Sequence, residues 1–162
     1  MYFIICFCVT VVFIGALTSK NKIKYGLELA FLVIITFSAL RYNYGNDYFT
    51  YYNSFKEVSR FQSYHYLINL FDGPFDRYEG LELGWLLLNR LFRPLGFYGL
   101  IIFISIFTNV VYYKFIKTYV PRKWYWLALF TYMFDTNLFF VPLSMMRQSF
   151  SMVLFVLSYR YQ

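Results

Sequence analysis

The chain has 162 residues, of which 60% are hydrophobic, 26% aromatic and only 14% charged, whereas soluble domains carry about 25% charged residues. A water-soluble fold of this size could not cover 21 Phe and 18 Tyr side chains, because large apolar patches would remain on its surface. The net charge of +7 does not indicate a nucleic-acid partner, since the basic residues lie at the ends of apolar runs rather than on one face.

The apolar runs predict an all-α fold, a polytopic bundle of about five membrane-spanning helices. The first run, residues 2–17, lacks the basic start and the cleavage site of a signal peptide, so we expect a retained helix. The later runs are residues 27–40, 99–113, 124–141 and 145–162. The whole chain, residues 1–162, is therefore expected to form a single integral membrane region.

The distribution of basic residues predicts the orientation of this bundle. The connections after the first and third runs contain basic residues and no acids: Lys20, Lys22, Lys24, Lys114, Lys117, Arg122 and Lys123. Residues 41–95 carry as many acidic as basic residues. Because short basic connections stay in the cytoplasm, we expect the N-terminus and the segment 41–95 to face outward.

The outward segment has the pattern of short amphipathic helices separated by turns. Gly45 can adopt a positive φ at no steric cost, and Asn46 or Asp47 can cap a new helix. An apolar stripe at helical spacing follows, at Tyr48, Tyr51, Tyr52, Phe55 and Val58. A second stripe consists of Leu81, Trp85, Leu88 and Phe92. We expect both helices to lie at the membrane interface or to be re-entrant, and the second to end at Pro94 and Gly96.

Charged residues at the outward end of the predicted spans are candidates for function. They are Arg41, Glu82, Asp135 and Arg147. A charge at membrane depth is costly, so such residues usually have a role. For Asp135 a structural pair with an arginine, which would orient two helices, is an equal alternative. Asp47, taken alone, fits the role of a helix cap.

Three short motifs resemble one family of membrane polymerases. The pattern Arg41-Tyr-x-x-Gly45-x-Asp47-Tyr48-x-x-Tyr51-x-x-x-Phe55 is similar to the loop after the second membrane helix of the EpsG-like, Wzy-type proteins. Two later stretches also resemble that family, Glu82-x-Gly84-Trp85-x-x-Leu88-Asn89 and Arg147-Gln148-Ser149-Phe150-Ser151. Asn46 stands where the family pattern has threonine.

The resemblance implies an enzyme that polymerises exopolysaccharide, capsule or O-antigen repeat units at the outer face of the bacterial cytoplasmic membrane. Its substrates are oligosaccharides linked by diphosphate to a polyprenyl lipid. Arg41 and Arg147 would bind the diphosphate, and Asp47 or Glu82 would be the general base. Tyr48, Tyr51 and Asp135 would contact the substrate. No metal or organic cofactor is implied.

A non-enzymatic transporter or scaffold subunit that binds an anionic lipid-linked glycan is the alternative, because boundary charges alone fit it equally well. Members of the EpsG-like family are longer and have more spans, so the resemblance covers their N-terminal part. We therefore expect this chain alone to insert but to be inactive without a downstream segment or a partner. A chain-length regulator is one such partner.

Overall fold

The computed structural model describes residues 2–45, 47–60 and 83–159, and this part of the chain is helical and contains no strands. Its helices are α1 (Tyr2–Ser19), α2 (Gly26–Ala39), α3 (Tyr48–Arg60), α4 (Leu83–Leu91), α5 (Gly96–Tyr119), α6 (Tyr125–Phe134), α7 (Val141–Ser144) and α8 (Met146–Tyr159). A π-helical segment, Thr136–Phe140, lies between α6 and α7. The predicted all-α fold is confirmed.

The chain divides into two compact units. The first unit contains Met1–Asn46 and Ile101–Gln162, and the second contains Asp47–Leu100. The boundary at residue 100 falls within α5. The second unit covers most of the segment that was predicted to face outward, and its position relative to a membrane stays a prediction.

In the first unit, α1 packs against α2 and α6. The approach of α1 to α6 is close at Gly15, where a Cβ atom would lie 2.7 Å from Leu129 Cδ1 and 3.2 Å from Trp126 Cα. Small residues allow such close contact between apolar helices. The core around this contact includes Val11, Ala30, Phe31, Ile34, Leu129, Met133 and Phe139.

Hydrogen bonds bring the two basic connections to one end of the first unit. Arg122 Nη2 donates to the carbonyl of Ile23 at 3.0 Å. Nearby, Lys117 Nζ lies 2.8 Å from the Glu28 carboxylate, which also accepts from the Tyr113 hydroxyl at 2.9 Å. Because α2 runs away from this end, its last turn and Arg41 lie at the opposite end. This separation is what the predicted orientation requires, but the side of the membrane stays a prediction.

The number of spans is not confirmed. Among the described helices, only the run Arg93–Tyr119 is long and apolar enough to cross a membrane by itself. The pair Arg122–Phe134 and Thr136–Ser144 would be a second crossing if counted together, but it is bent by 69°. The expected fourth span is thus a broken helix rather than a straight one. The helical stretches Ile4–Ser19 and Gly26–Ala39 are apolar but shorter.

The second unit is built on an aromatic core, as the stripe on α3 predicts. Tyr48, Tyr51 and Phe55 are buried, and α3 packs against α4. The Tyr51 ring lies 5.3 Å from that of Trp85, and the Phe97 ring lies 5.5 Å from that of Tyr48. Two residues of the predicted stripes cannot be compared, because the side chain of Val58 and all of Leu81 lie outside the described part of the chain. As expected, α4 ends before Pro94, and Gly96 has a φ of 73°.

Candidate functional site

The candidate site begins at Arg41, which follows the last turn of α2. The α2 helix ends at Ala39, and the backbone N–H of the capping residue Leu40 donates to the carbonyl of Thr36. Arg41 is only 9% exposed, although arginine is rarely buried. Its Nη1 atom donates to the carbonyl of Pro142 at 3.2 Å. A backbone carbonyl of α7 therefore helps to hold the guanidinium at this end of the unit.

The Pro142 carbonyl, which accepts the hydrogen bond from Arg41, lies just after an interruption between two helices. After α6 ends, the Asp135 carboxylate accepts a hydrogen bond from the backbone N–H of Asn137 at 2.8 Å. The chain then forms the π-helical segment before Pro142 enters α7 near its start. Short π-helical segments in proteins often occur at functional sites. Asp135 itself is exposed and caps the segment, a structural role that leaves its predicted contact with substrate untested.

Gly45 anchors the loop after Arg41 to the same region. Its φ of 86° lies in the left-handed range, as its predicted turn requires. A Cβ atom at Gly45 would lie 2.9 Å from Ser144 Cα and would also collide with the Ser144 side chain. Two contacts, from Arg41 to Pro142 and from Gly45 to Ser144, therefore fix residues 41–45 against α7.

A polar pocket surrounds Arg41 inside the otherwise apolar first unit. Its polar lining consists of Ser38, Arg41, Ser105, Thr108, Asn109, Tyr132 and Ser149. The space open to water in it is about 10 Å³, close to the lower limit for one water molecule. The pocket is therefore far too small for a sugar, so it is the support of the arginine rather than a substrate cavity.

Hydrogen bonds organise most of this pocket. The Tyr132 hydroxyl donates to Asn109 Oδ1 at 2.9 Å, and Asn109 Nδ2 donates to the carbonyl of Ser105 at 2.8 Å. The hydroxyls of Thr108 and Ser149 lie 3.2 Å apart. The Ser105 hydroxyl is buried and has no hydrogen-bond partner among the described residues. A single water in the pocket would satisfy it.

The pocket residues of α5 were not predicted, although the sequence contains a signal for them. Ser105, Thr108 and Asn109 occur at spacings of three and four in an apolar run, which places them on one face of α5. Polar residues on one face of an apolar helix usually point into a bundle. Ser38 and Tyr132 gave no comparable pattern, and Ser149 was noted only as part of the third family motif.

Arg147 lies at the same end of the first unit as Arg41. It is half-buried in the first turn of α8, and its carbonyl accepts from Ser151 Oγ at 3.1 Å. The same turn carries Ser149 into the polar pocket. The structure thus brings the two predicted arginines to one end of the unit.

The remaining predicted site residues belong to the second unit. Asp47 is half-buried and directly precedes α3, where its backbone carbonyl accepts from the N–H of Tyr51 at 3.0 Å. Tyr48 and Tyr51 are 4% and 7% exposed, so their rings contribute to packing. Glu82 lies outside the described residues. The catalytic and sugar-binding roles of these residues stay predictions.

The second unit contains one further polar feature, formed by two residues of the second family motif. Trp85 and Asn89 are one turn apart on α4 and are 4% and 1% exposed. Neither the Trp85 indole nitrogen nor the Asn89 amide has a hydrogen-bond partner among the described residues. Unsatisfied buried groups of this kind are uncommon in proteins.

The fold and the site define a class of protein, an apolar helical protein that buries an arginine within a polar pocket at one end. The model of the EpsG family matches residues 24–162, and the chain belongs to that family. The resemblance drawn from the three motifs is thereby confirmed. No curated protein and no solved structure matches the chain. Family membership indicates a membrane protein of polysaccharide biosynthesis.

Proposed function

We propose that the chain is part of a membrane polymerase that joins oligosaccharide repeat units carried on polyprenyl diphosphate. The observation that carries the proposal is the burial of Arg41 at the end of the first unit opposite the basic connections. By the positive-inside rule, the basic end is cytoplasmic. Arg41 and Arg147 then face the outer leaflet, where the products are exopolysaccharide, capsule or O-antigen chains.

The arginines suit the leaving group of this reaction. The acceptor hydroxyl attacks the anomeric carbon of the growing chain, the bond from that carbon to the diphosphate oxygen breaks, and polyprenyl diphosphate leaves with the electron pair. A guanidinium donates two parallel hydrogen bonds to phosphate oxygens and keeps its charge at all physiological pH values. We assign to Arg41 and Arg147 the stabilisation of the negative charge that develops on the diphosphate.

The proton of the acceptor hydroxyl requires a base, and we assign this role to Asp47 or Glu82, as the family resemblance implies. We assign to Tyr48 and Tyr51 a contact with the sugar, through the small part of their side chains that stays exposed. Asp135 is retained as a substrate contact whose carboxylate also caps the π-helical segment. No step of this proposal uses a metal or an organic cofactor.

A chimera tests the proposal directly. Residues 24–162 replace the matching part of a full-length EpsG family polymerase, and the chimera is expressed in a host that lacks its own polymerase. We expect long-chain polymer from the chimera and none from the chain alone, measured as ladders of lipid-linked glycan. Single repeat units with altered export would instead identify a carrier or scaffold.

The orientation is tested by cysteine labelling after Cys6 and Cys8 are replaced with serine. Cysteines at Tyr42, near Arg41, and at Asn53, in the second unit, are expected to react with an impermeant thiol reagent in intact cells. A cysteine at Lys22 or Lys123 should react only after lysis, because these residues lie in the basic connections. All four positions are exposed. The reverse pattern would place Arg41 on the cytoplasmic side and exclude the proposed reaction.

A further inference from the structure

An open apolar groove runs along the first unit beside α5, α6 and α8, and it shares one lining residue, Tyr132, with the Arg41 pocket. Its volume is about 840 Å³, within the range of about 300–1,000 Å³ that is typical of small-molecule sites. The lining includes Ile116, Leu127, Ala128, Met152, Phe155 and Val156. Phe155 is 73% exposed, so a large apolar surface is open here.

The length of the groove matches one leaflet of a bilayer. On the α6 side its lining extends from Trp124 to Tyr132, with Leu138 of the π-helical segment beyond, and on the α5 side from Tyr112 to Val120. At about 1.5 Å per residue, these stretches are about 10–12 Å long. Half of the hydrocarbon core of a bilayer is about 15 Å thick. The groove therefore fits an acyl chain from one leaflet, whereas a helix that crosses the whole membrane would extend well beyond it.

One end of the groove carries the side chains that favour a lipid headgroup. Lys123 Nζ lies 5.9 Å from the centre of the Trp124 ring, which lines the groove. The rings of Tyr119 and Tyr159, at the same end of the unit, lie 6.2 Å apart. The hydrogen bond from Arg122 to the carbonyl of Ile23 places the connection between α1 and α2, which contains Lys20, Lys22 and Lys24, at this end as well. Aromatic and basic residues together are typical of the headgroup region on the cytoplasmic side.

We propose that this groove binds an anionic phospholipid from the leaflet at the basic end. One acyl chain lies against α5, α6 and α8, and the phosphate is placed beside Lys123 and the neighbouring lysines. The charge of the groove mouth selects an anionic over a zwitterionic headgroup. The headgroup end of this site lies at the end of the unit opposite Arg41, and the site does not depend on the proposed polymerase activity.

The test compares two lipids with identical acyl chains, dioleoylphosphatidylglycerol and dioleoylphosphatidylcholine, added to the delipidated full chain in detergent. We expect phosphatidylglycerol to raise Tm by several degrees and phosphatidylcholine to raise it clearly less. Lys123→Gln should remove most of this difference, and Lys56→Gln, the same charge change in the second unit, should leave it intact. Ala128→Phe fills the groove and should remove both shifts, whereas Val9→Phe, on the exposed surface of α1, should remove neither.

Native mass spectrometry of the same samples counts bound lipids and remains informative if Ala128→Phe impairs folding. We expect one retained phosphatidylglycerol on the unmodified chain and a loss of at least fivefold in its occupancy with Lys123→Gln. Equal retention of both lipids, or no effect of Lys123→Gln, would overturn the proposal. So would a dimer without bound lipid that Ala128→Phe dissociates, because a second copy of the chain would then occupy the groove.

Discussion

Lysine in place of Arg41 is expected to reduce polymer formation almost as strongly as alanine, by about 10²–10³-fold in the chimera. Lysine retains the positive charge but is a point charge, so it cannot donate two parallel hydrogen bonds to a diphosphate. It also cannot reproduce the planar contact in which Nη1 bonds to the carbonyl of Pro142. The measurement is the length and amount of lipid-linked glycan, normalised to the abundance of the protein in the membrane.

Arg93→Lys is the matched control for this experiment. Arg93 is exposed and lies in the turn before α5, so the same substitution there should leave the polymer unchanged. Full polymerisation by Arg41→Lys would exclude a fork contact with the diphosphate. Loss of the Arg41→Ala protein from the membrane would instead assign the arginine a structural role, since removal of a buried charge also disturbs its partners.

Gly45→Ala is expected to destabilise the first unit by about 3 kcal/mol. About 1–2 kcal/mol comes from placing a Cβ atom on a left-handed backbone, and about 1–3 kcal/mol from overpacking. The second contribution arises because the new atom would lie 2.9 Å from the backbone Cα of Ser144, which cannot move aside as a side chain can. The free energy of unfolding in detergent, measured by denaturant titration, gives this value.

Gly96→Ala separates the two contributions. Gly96 also has a left-handed φ, 73°, but a Cβ atom there would have no neighbour within 4 Å. The ψ of Gly96 is 176°, in a region that is almost restricted to glycine, so this control should lose only a backbone contribution of about 1–3 kcal/mol. Ser144→Gly should restore part of the stability of Gly45→Ala, because the Ser144 side chain is removed while its Cα remains. A failure of Ser144→Gly to restore any stability would show that the contact with the Ser144 side chain contributes nothing.

The same substitution links the loop to function. Residues 41–45 are held against α7 at both of their ends, through Arg41 and Gly45. If α7 moves to make room for the new methyl group of Gly45→Ala, the Pro142 carbonyl also moves relative to the Arg41 guanidinium. Misplacement of a substrate-binding group by about 1 Å can cost about 10²-fold in rate, so the chimera with Gly45→Ala should lose polymer even where the protein remains in the membrane.

Local sequence pattern was sufficient for several helices and turns of this protein. The stripe of Tyr48, Tyr51 and Phe55 predicts the buried face of α3, because helical periodicity depends only on spacing along the chain. Gly45 predicts a positive φ for a similarly local reason, the absence of a Cβ atom. The three short motifs were enough to indicate the EpsG family, whose model covers residues 24–162.

Contacts between distant segments decided the rest. Residues 124–141 read as one continuous apolar run, but the Asp135 cap and the π-helical segment before Pro142 divide it with a bend of 69°. The carbonyl of Pro142 then accepts from Arg41, a residue 101 positions earlier in the chain. Hydropathy averages over such a break, and periodicity compares only neighbouring turns, so neither could place a polar pocket whose residues come from α2, α5, α6 and α8. Only the tertiary structure joins them, because a buried guanidinium must find its hydrogen-bond acceptors wherever the fold provides them.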